Sequence, residues 1–217
     1  MEMEILRAEA VAATIVLTPT TFATLAKNDV RRSLLAAQLG ADRRCQSAAD
    51  WQPWHREYRR ILALLGWCHT WAQEQTLVCQ PGQRWVPWEQ LSSGLQGLSS
   101  PTMKRAVTAT LDALAAGPRE SPGWAILERH CWAPQRLRFA VAFIDTDASL
   151  VTCAVDYQVQ HRMTQLGFAH ALTCVTPGTP VHLRTSVARL GAQHDYTLAS
   201  HLTRRLHSRL ETETGPL

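Results

Sequence analysis

The sequence predicts an α+β fold in which a helical N-terminal half packs on a C-terminal antiparallel sheet of about four strands, closed by a C-terminal helix. Three observations carry that prediction. Before residue 120 apolar side chains recur every third or fourth position; from Arg136 they alternate; and after Asp195 leucines return at helical spacing. The 217 residues suit one domain, with a mainly helical region over 1–120 and a sheet with its closing helix over 135–217.

Taken in order, the β-branched, apolar stretch from Ala10 to Thr18 predicts a short buried strand or lead-in. Thr20 and Thr21 offer caps for a helix ending near Gly40, carrying Phe22, Leu25, Val30, Leu34, Leu35 and Leu39 on one face. The strongest helical signal runs from Pro53 to about Gln75, with Trp54, Tyr58, Ile61, Leu62 and Leu65 inward and Arg56, Glu57, Arg59 and Arg60 outward at its start. Gly66 inside that span weakens the helix and suggests close approach of a neighbour. A short helix from Trp88 to about Leu98 follows, then one capped by Ser100 and Pro101 and stopped by Gly117 and Pro118.

Arg136 to Val159 predicts a β-hairpin whose inner face holds Leu137, Phe139, Val141, Phe143, Val151, Cys153, Val155 and Tyr157. With residue 143 opposite 149, Arg136 faces Asp156 on the outer side. Phe168 to Val175 and Val181 to Val187 predict two more strands, joined through a proline and glycine turn. Asp195 then caps a helix presenting Leu198, Leu202, Leu206 and Leu210 to the sheet.

Composition bounds function loosely. The apolar content of 46% excludes a mostly disordered chain. Positive charge is spread evenly, with 13 basic against 11 acidic residues in 1–120 and 9 against 7 in 121–217, which argues against nucleic acid as a partner. The N terminus carries acids where an export signal carries basic residues, and residues 10–17 are too few to span a bilayer, so the cytoplasm is the default location, with leaderless secretion left open. Six cysteines stand singly without a Cys-x-x-Cys pair and read as reduced, mostly buried thiols.

No residue pattern specifies a reaction. His55-Arg56-Glu57 matches the His-x-Glu part of a zinc deaminase motif, but its paired cysteines are missing and a helix turns the two side chains apart. Cys68-His69, His130-Cys131 and the His170/Cys174 pair lack the second short-spaced pair of a zinc site, so neither metal nor cofactor is expected. An enzyme would have to gather His130, His170, His182 or His194 with acids in one pocket. Six of the eight tryptophans fall between residues 51 and 88, and Trp54, Tyr58, Trp67, Trp71, Trp85 and Trp88 are the candidate binding residues, against a competing role in the core.

The run from Trp54 through His-Arg-Glu and Tyr-Arg-Arg-Ile-Leu-Ala-Leu-Leu-Gly to Trp67 is followed by PTMKRAVTATLDALAAG, then SPGWAILERH and RLRFAVAFID. In that order these segments resemble a group of uncharacterised bacterial proteins across nearly the whole chain. The resemblance implies a single co-folded unit and transfers no catalytic residue. The sequence therefore favours a non-enzymatic interaction protein, a subunit, effector or toxin-complex component, that binds another protein chain or itself. A membrane-active protein working through helices Phe22 to Leu39 and Pro53 to Trp71 is the alternative, with an enzyme of unfamiliar site as a third.

Overall fold

The computed structural model describes residues 6–20, 24–45, 51–80, 86–96, 100–133, 136–145, 149–159, 168, 171–172, 175–191, 206 and 209–217. The apolar start is two strands rather than one. β1 (Leu6–Val11) and β2 (Thr14–Pro19) pair antiparallel, Val11 opposite Thr14, around a turn at Ala12 and Ala13. Such turns need positive φ and usually take Gly or Asn, yet Ala12 adopts a φ of 49°. Bonds from elsewhere secure it: the Ala12 N–H donates to the Glu213 carbonyl at 2.9 Å and the Ala13 N–H to Gln38 Oε1 at 2.9 Å.

The chain continues through α1 (Thr24–Arg44), α2 (Trp51–Leu64), β3 (Trp67–Val78), α3 (Pro87–Gln96), α4 (Pro101–Ala116), α5 (Pro122–Cys131), β4 (Trp132–Ala133), β5 (Arg136–Ile144), β6 (Ser149–Gln158), β7 (Pro180–Leu190) and β8 (Thr214–Pro216). The strands form one mixed sheet in the order β3-β7-β6-β5-β2-β1-β8, with β4 also on β5 and β2 parallel to β5. This overturns the expected four-stranded antiparallel sheet beside a helical N-terminal half: helices and strands are interleaved. The N-terminal strands sit inside the sheet because β2 is buried along its whole length, and a strand covered on both faces reads as one apolar run without alternation.

Helices cover both faces. α3, α4 and α5 close over Ile15, Leu17, Phe139, Val141, Phe143, Val155 and Tyr157. On the other face α1 and α2, with Leu206 and Leu210 from near the C terminus, pack on Val16, Ala142, Ile144, Leu150 and Ala188. The predicted caps of α4 hold: the Ser100 hydroxyl accepts from the Met103 N–H at 3.2 Å, and the Gly117 N–H donates to the Ala113 carbonyl.

Three corrections concern local structure. α1 runs through Gly40 to Arg44, and Gly40 is there for packing, since a Cβ on it would collide with Ile61 of α2. The predicted helix from Pro53 to Gln75 stops at Leu64, because Gly66 takes a left-handed φ of 88° and turns the chain into β3. In the stretch expected as a strand over Phe168 to Val175, Phe168 and Ala171 are helical and the Leu172 N–H donates to the Phe168 carbonyl at 3.1 Å. The expected cap Asp195, with Leu198 and Leu202, lies outside the described residues, while 209–213 are helical.

The hairpin of β5 and β6 forms with the expected inner face, Leu137 and Val155 both in the core beneath α3–α5. Its register is displaced by two residues: Ile144 lies opposite Leu150, so Asp156 faces Arg138 and not Arg136. A shift of two preserves the faces and changes only the partners. β3 adds a bulge between His69 and Trp71. Trp67 and His69 lie on the α2 face before it, and Ala72, Glu74 and Thr76 occupy that face after it, while Trp71, Gln73 and Gln75 turn to the α3 face.

Candidate functional site

On the α2 face the sheet carries small residues where the other face carries large ones. Ala140 and Ala154 form a floor beside Thr152 and Ser186, and α2 crosses above it. The space between is a cavity of about 30 Å³, room for one or two waters, edged by Gln38, Trp54, His55, Arg59, Arg138 and Arg184.

Neighbouring strands place Arg138, Asp156 and His182 side by side on this face. Arg138 and Asp156 are each 4% exposed and ion-paired through Nε and Oδ2. The guanidinium also lies 4.2 Å over the Trp54 ring, while its Nη1 and Nη2 are buried without a hydrogen-bond partner. Burial pulls the Arg138 pKa down, and Asp156 opposes that by favouring the charged form.

Trp54 is fixed by its indole N–H, which donates to Asp42 Oδ1 at 2.7 Å, and it stacks on Tyr58 with ring centroids 5.2 Å apart. His55, buried on the inner side of α2, meets the Trp54 and Trp51 rings edge-on at 5.0 and 5.9 Å. Burial, reinforced by Arg184 and Arg138, holds its pKa well below the ordinary histidine value, so the ring is neutral. His182 stacks flat on Trp51 at 4.0 Å and bonds through Nδ1 to Thr76 Oγ1 at 3.1 Å.

Outside this cavity, Arg59 and Arg184 also border a groove of about 540 Å³ between α2 and β3. Gln52, Arg56, Arg59, Arg60 and Ala63 recur at three- and four-residue intervals and so form one stripe of α2 along it, facing His69, Glu74 and Arg184. Glu57 binds Arg60 twice, at 2.7 and 2.8 Å, and Arg44 at 3.3 Å. Glu74 pairs with Arg184 across β3 and β7, a pairing made available by the bulge. Burial and the nearby Arg59 lower the Arg184 pKa to about 10. The Nε atoms of Arg59 and Arg184 are buried and unpartnered, each a group whose desolvation costs about 1–3 kcal/mol until something accepts from it.

The predicted aromatic set does not converge. Trp54 and Trp67 are buried under α2, Trp88 is buried on the opposite side of the sheet, Tyr58 is half-buried, Trp71 is 39% exposed on β3, and Trp85 lies outside the described residues. His130 and His182 are apart as well: His130 bonds Glu213 at 2.5 Å near the C terminus, and His170, Cys174 and His194 lie outside the described residues. Cys131 and Cys153 are buried with their thiol pKa values raised, Cys153 to about 11, and so are poor nucleophiles. Among the described residues no three His, Cys, Asp or Glu side chains are grouped to hold a metal ion.

Four arginines and one glutamate line the groove between α2 and β3. No protein-family model matches the chain, and no curated protein matches it. Among solved structures the fold is similar to that of the Evf virulence factor, at a TM-score of 0.36 and 10% identity over 99% of this chain and 84% of that one. It is also similar to a delta-endotoxin, at a TM-score of 0.42 and 13% identity over 86% of this chain and 85% of that one. Both scores are below 0.5, and neither likeness transfers a residue or an activity. Arg138 and Arg184 escaped selection in the sequence, and Asp156 was paired with the wrong arginine, because each of the two arginine-bearing strands holds a second one, Arg136 in β5 and Arg189 in β7, and no local pattern separates the two.

Proposed function

We propose that this is a non-enzymatic interaction protein, a subunit, effector or toxin-complex component, that assembles by adding a strand to the free edge of β3, its first partner being a second copy of itself. One observation carries the reading. Among the described residues the exposed large apolar side chains are Leu64 (55%), Trp71 (39%), Val78 (49%) and Leu190 (41%), and all four lie on β3 or directly beside its ends. Among the described residues the twelve-residue strand β3 is paired on one side only, to β7, so its other side offers a row of backbone donors and acceptors.

Charge favours a copy of the same chain. Trp71, Gln73 and Gln75, which share one face of β3, are uncharged, and Glu74 on the other face is paired with Arg184, so little like-charge repulsion opposes two such edges meeting antiparallel in a protein of net charge +4. The membrane-active alternative has less support, because α2 has committed Trp54 and Leu62 to the interior, and no described helix is long and apolar enough to cross a membrane.

Light scattering behind size exclusion tests the proposal. The expected result is a concentration-dependent dimer that Trp71→Lys returns to monomer, with a melting temperature equal to that of the wild type at dilutions where both are monomeric, since the side chain is exposed. A strict monomer at every concentration, or a dimer indifferent to Trp71→Lys and Val78→Lys, overturns it.

A further inference from the structure

The groove between α2 and β3 is unexplained by strand pairing, which uses the backbone edge and not the α2 face. We propose that this groove is a binding site for a phosphate monoester group, held by Arg56, Arg59 and Arg184.

The charge inventory selects the ligand. Of the four arginines bordering the groove, Arg60 is neutralised by Glu57 and Arg184 by Glu74. Arg56 and Arg59 have no ion pair among the described residues. Among the described residues two positive charges therefore remain uncompensated at one opening, which matches the charge of about −1.5 to −2 on a phosphate monoester better than the single charge of a carboxylate.

Hydrogen bonding points the same way. The buried Nε atoms of Arg59 and Arg184 lack acceptors, and guanidinium forks present parallel N–H groups to phosphate oxygens. Arg56 and Arg59 lie one helical turn apart on α2, so both heads can reach a single tetrahedral group, and the small side chain of Ala63 keeps the far end open. His69, half-buried at the rim, has its pKa lowered by burial and by Arg59 and Arg184. A bound anion would offset that repulsion and accept from the His69 ring as a fourth donor beside the three arginines. The volume of about 540 Å³ leaves room for the rest of a small phosphorylated molecule or for a lipid headgroup.

Calorimetric titration of the full chain with inorganic phosphate and with glycerol phosphate, and cosedimentation with phosphatidylcholine vesicles with and without phosphatidic acid, test the site. Saturable binding of the soluble probes, or of phosphatidic acid vesicles alone, is expected, the first pattern marking a free ligand and the second a lipid one. Arg56→Gln with Arg59→Gln should weaken it by about tenfold or more, and Arg59→Lys should keep part of it. Arg56 is exposed, so Arg56→Gln alone provides a variant that folds should the double variant not, with a smaller loss in the same direction. Absence of saturable binding to every probe, or undiminished binding by a folded Arg56→Gln variant, overturns the proposal. Neither result depends on whether β3 dimerises.

Discussion

Asp156→Asn removes one charge from a pair that the fold has almost wholly withdrawn from water, Arg138 and Asp156 each being 4% exposed. Arg138 would remain inside with its Nη1 and Nη2 already unpartnered, left with the face of Trp54 at 4.2 Å and the weaker attraction of Asp42. Breaking a buried pair on one side costs about 3–5 kcal/mol. For a chain of this length each kcal/mol moves the melting temperature by about 2–4 °C, so a fall of roughly 6–20 °C is expected. The double variant Arg138→Met with Asp156→Leu removes both charges and fills similar volume, and should return to within about 1 kcal/mol of the wild type. Urea unfolding of the three proteins measures all of this. A loss below about 1 kcal/mol for Asp156→Asn, or a double variant as weak as the single one, would refute the view that an uncompensated buried guanidinium sets the cost.

Two further outcomes follow from the same physics. His55 is kept neutral by burial, so below the ordinary histidine pKa of 6.5 the unfolded chain takes up a proton that the folded chain refuses. Stability is then complete above about pH 6.5 and declines as pH falls, by up to about 1.4 kcal/mol per pH unit for this one imidazole. His69 and His182 are shifted in the same direction, so His55→Phe should flatten the slope without abolishing it, and urea midpoints with equal pH slopes in both proteins would count against this. Gly66→Ala forces a side chain into a φ of 88° and should cost about 1–2 kcal/mol; an unchanged urea midpoint would show that the turn into β3 can relax.

How much was legible in the sequence varies by element. The capped helix α4 was visible because Ser100, Pro101 and Gly117 act within a few residues of the chain they terminate. The faces of the β5–β6 hairpin were visible through alternation, whereas its register was not, since two registers differing by two residues bury the same side chains. The β1–β2 turn carried no Gly or Asn, and its stability comes from Glu213 and Gln38, far away in the chain. At Gly66 the signal was present and was taken for a weak point inside a helix. The tryptophans of β3, apolar on every side at helical spacing, concealed a bulge that sends Trp67 and Trp71 to opposite faces.

By itself the sequence determined which stretches bury an apolar face, where the capped helix α4 starts and stops, and that the hairpin keeps its apolar side inward, because those preferences act over a few residues. Only the tertiary structure decided that the N-terminal strands join the same sheet, that Arg138 meets Asp156, and that arginines from α2 and β7 face one groove. Those are contacts between residues remote in sequence, fixed by the closing of one sheet between two layers of helices, and no local pattern encodes them.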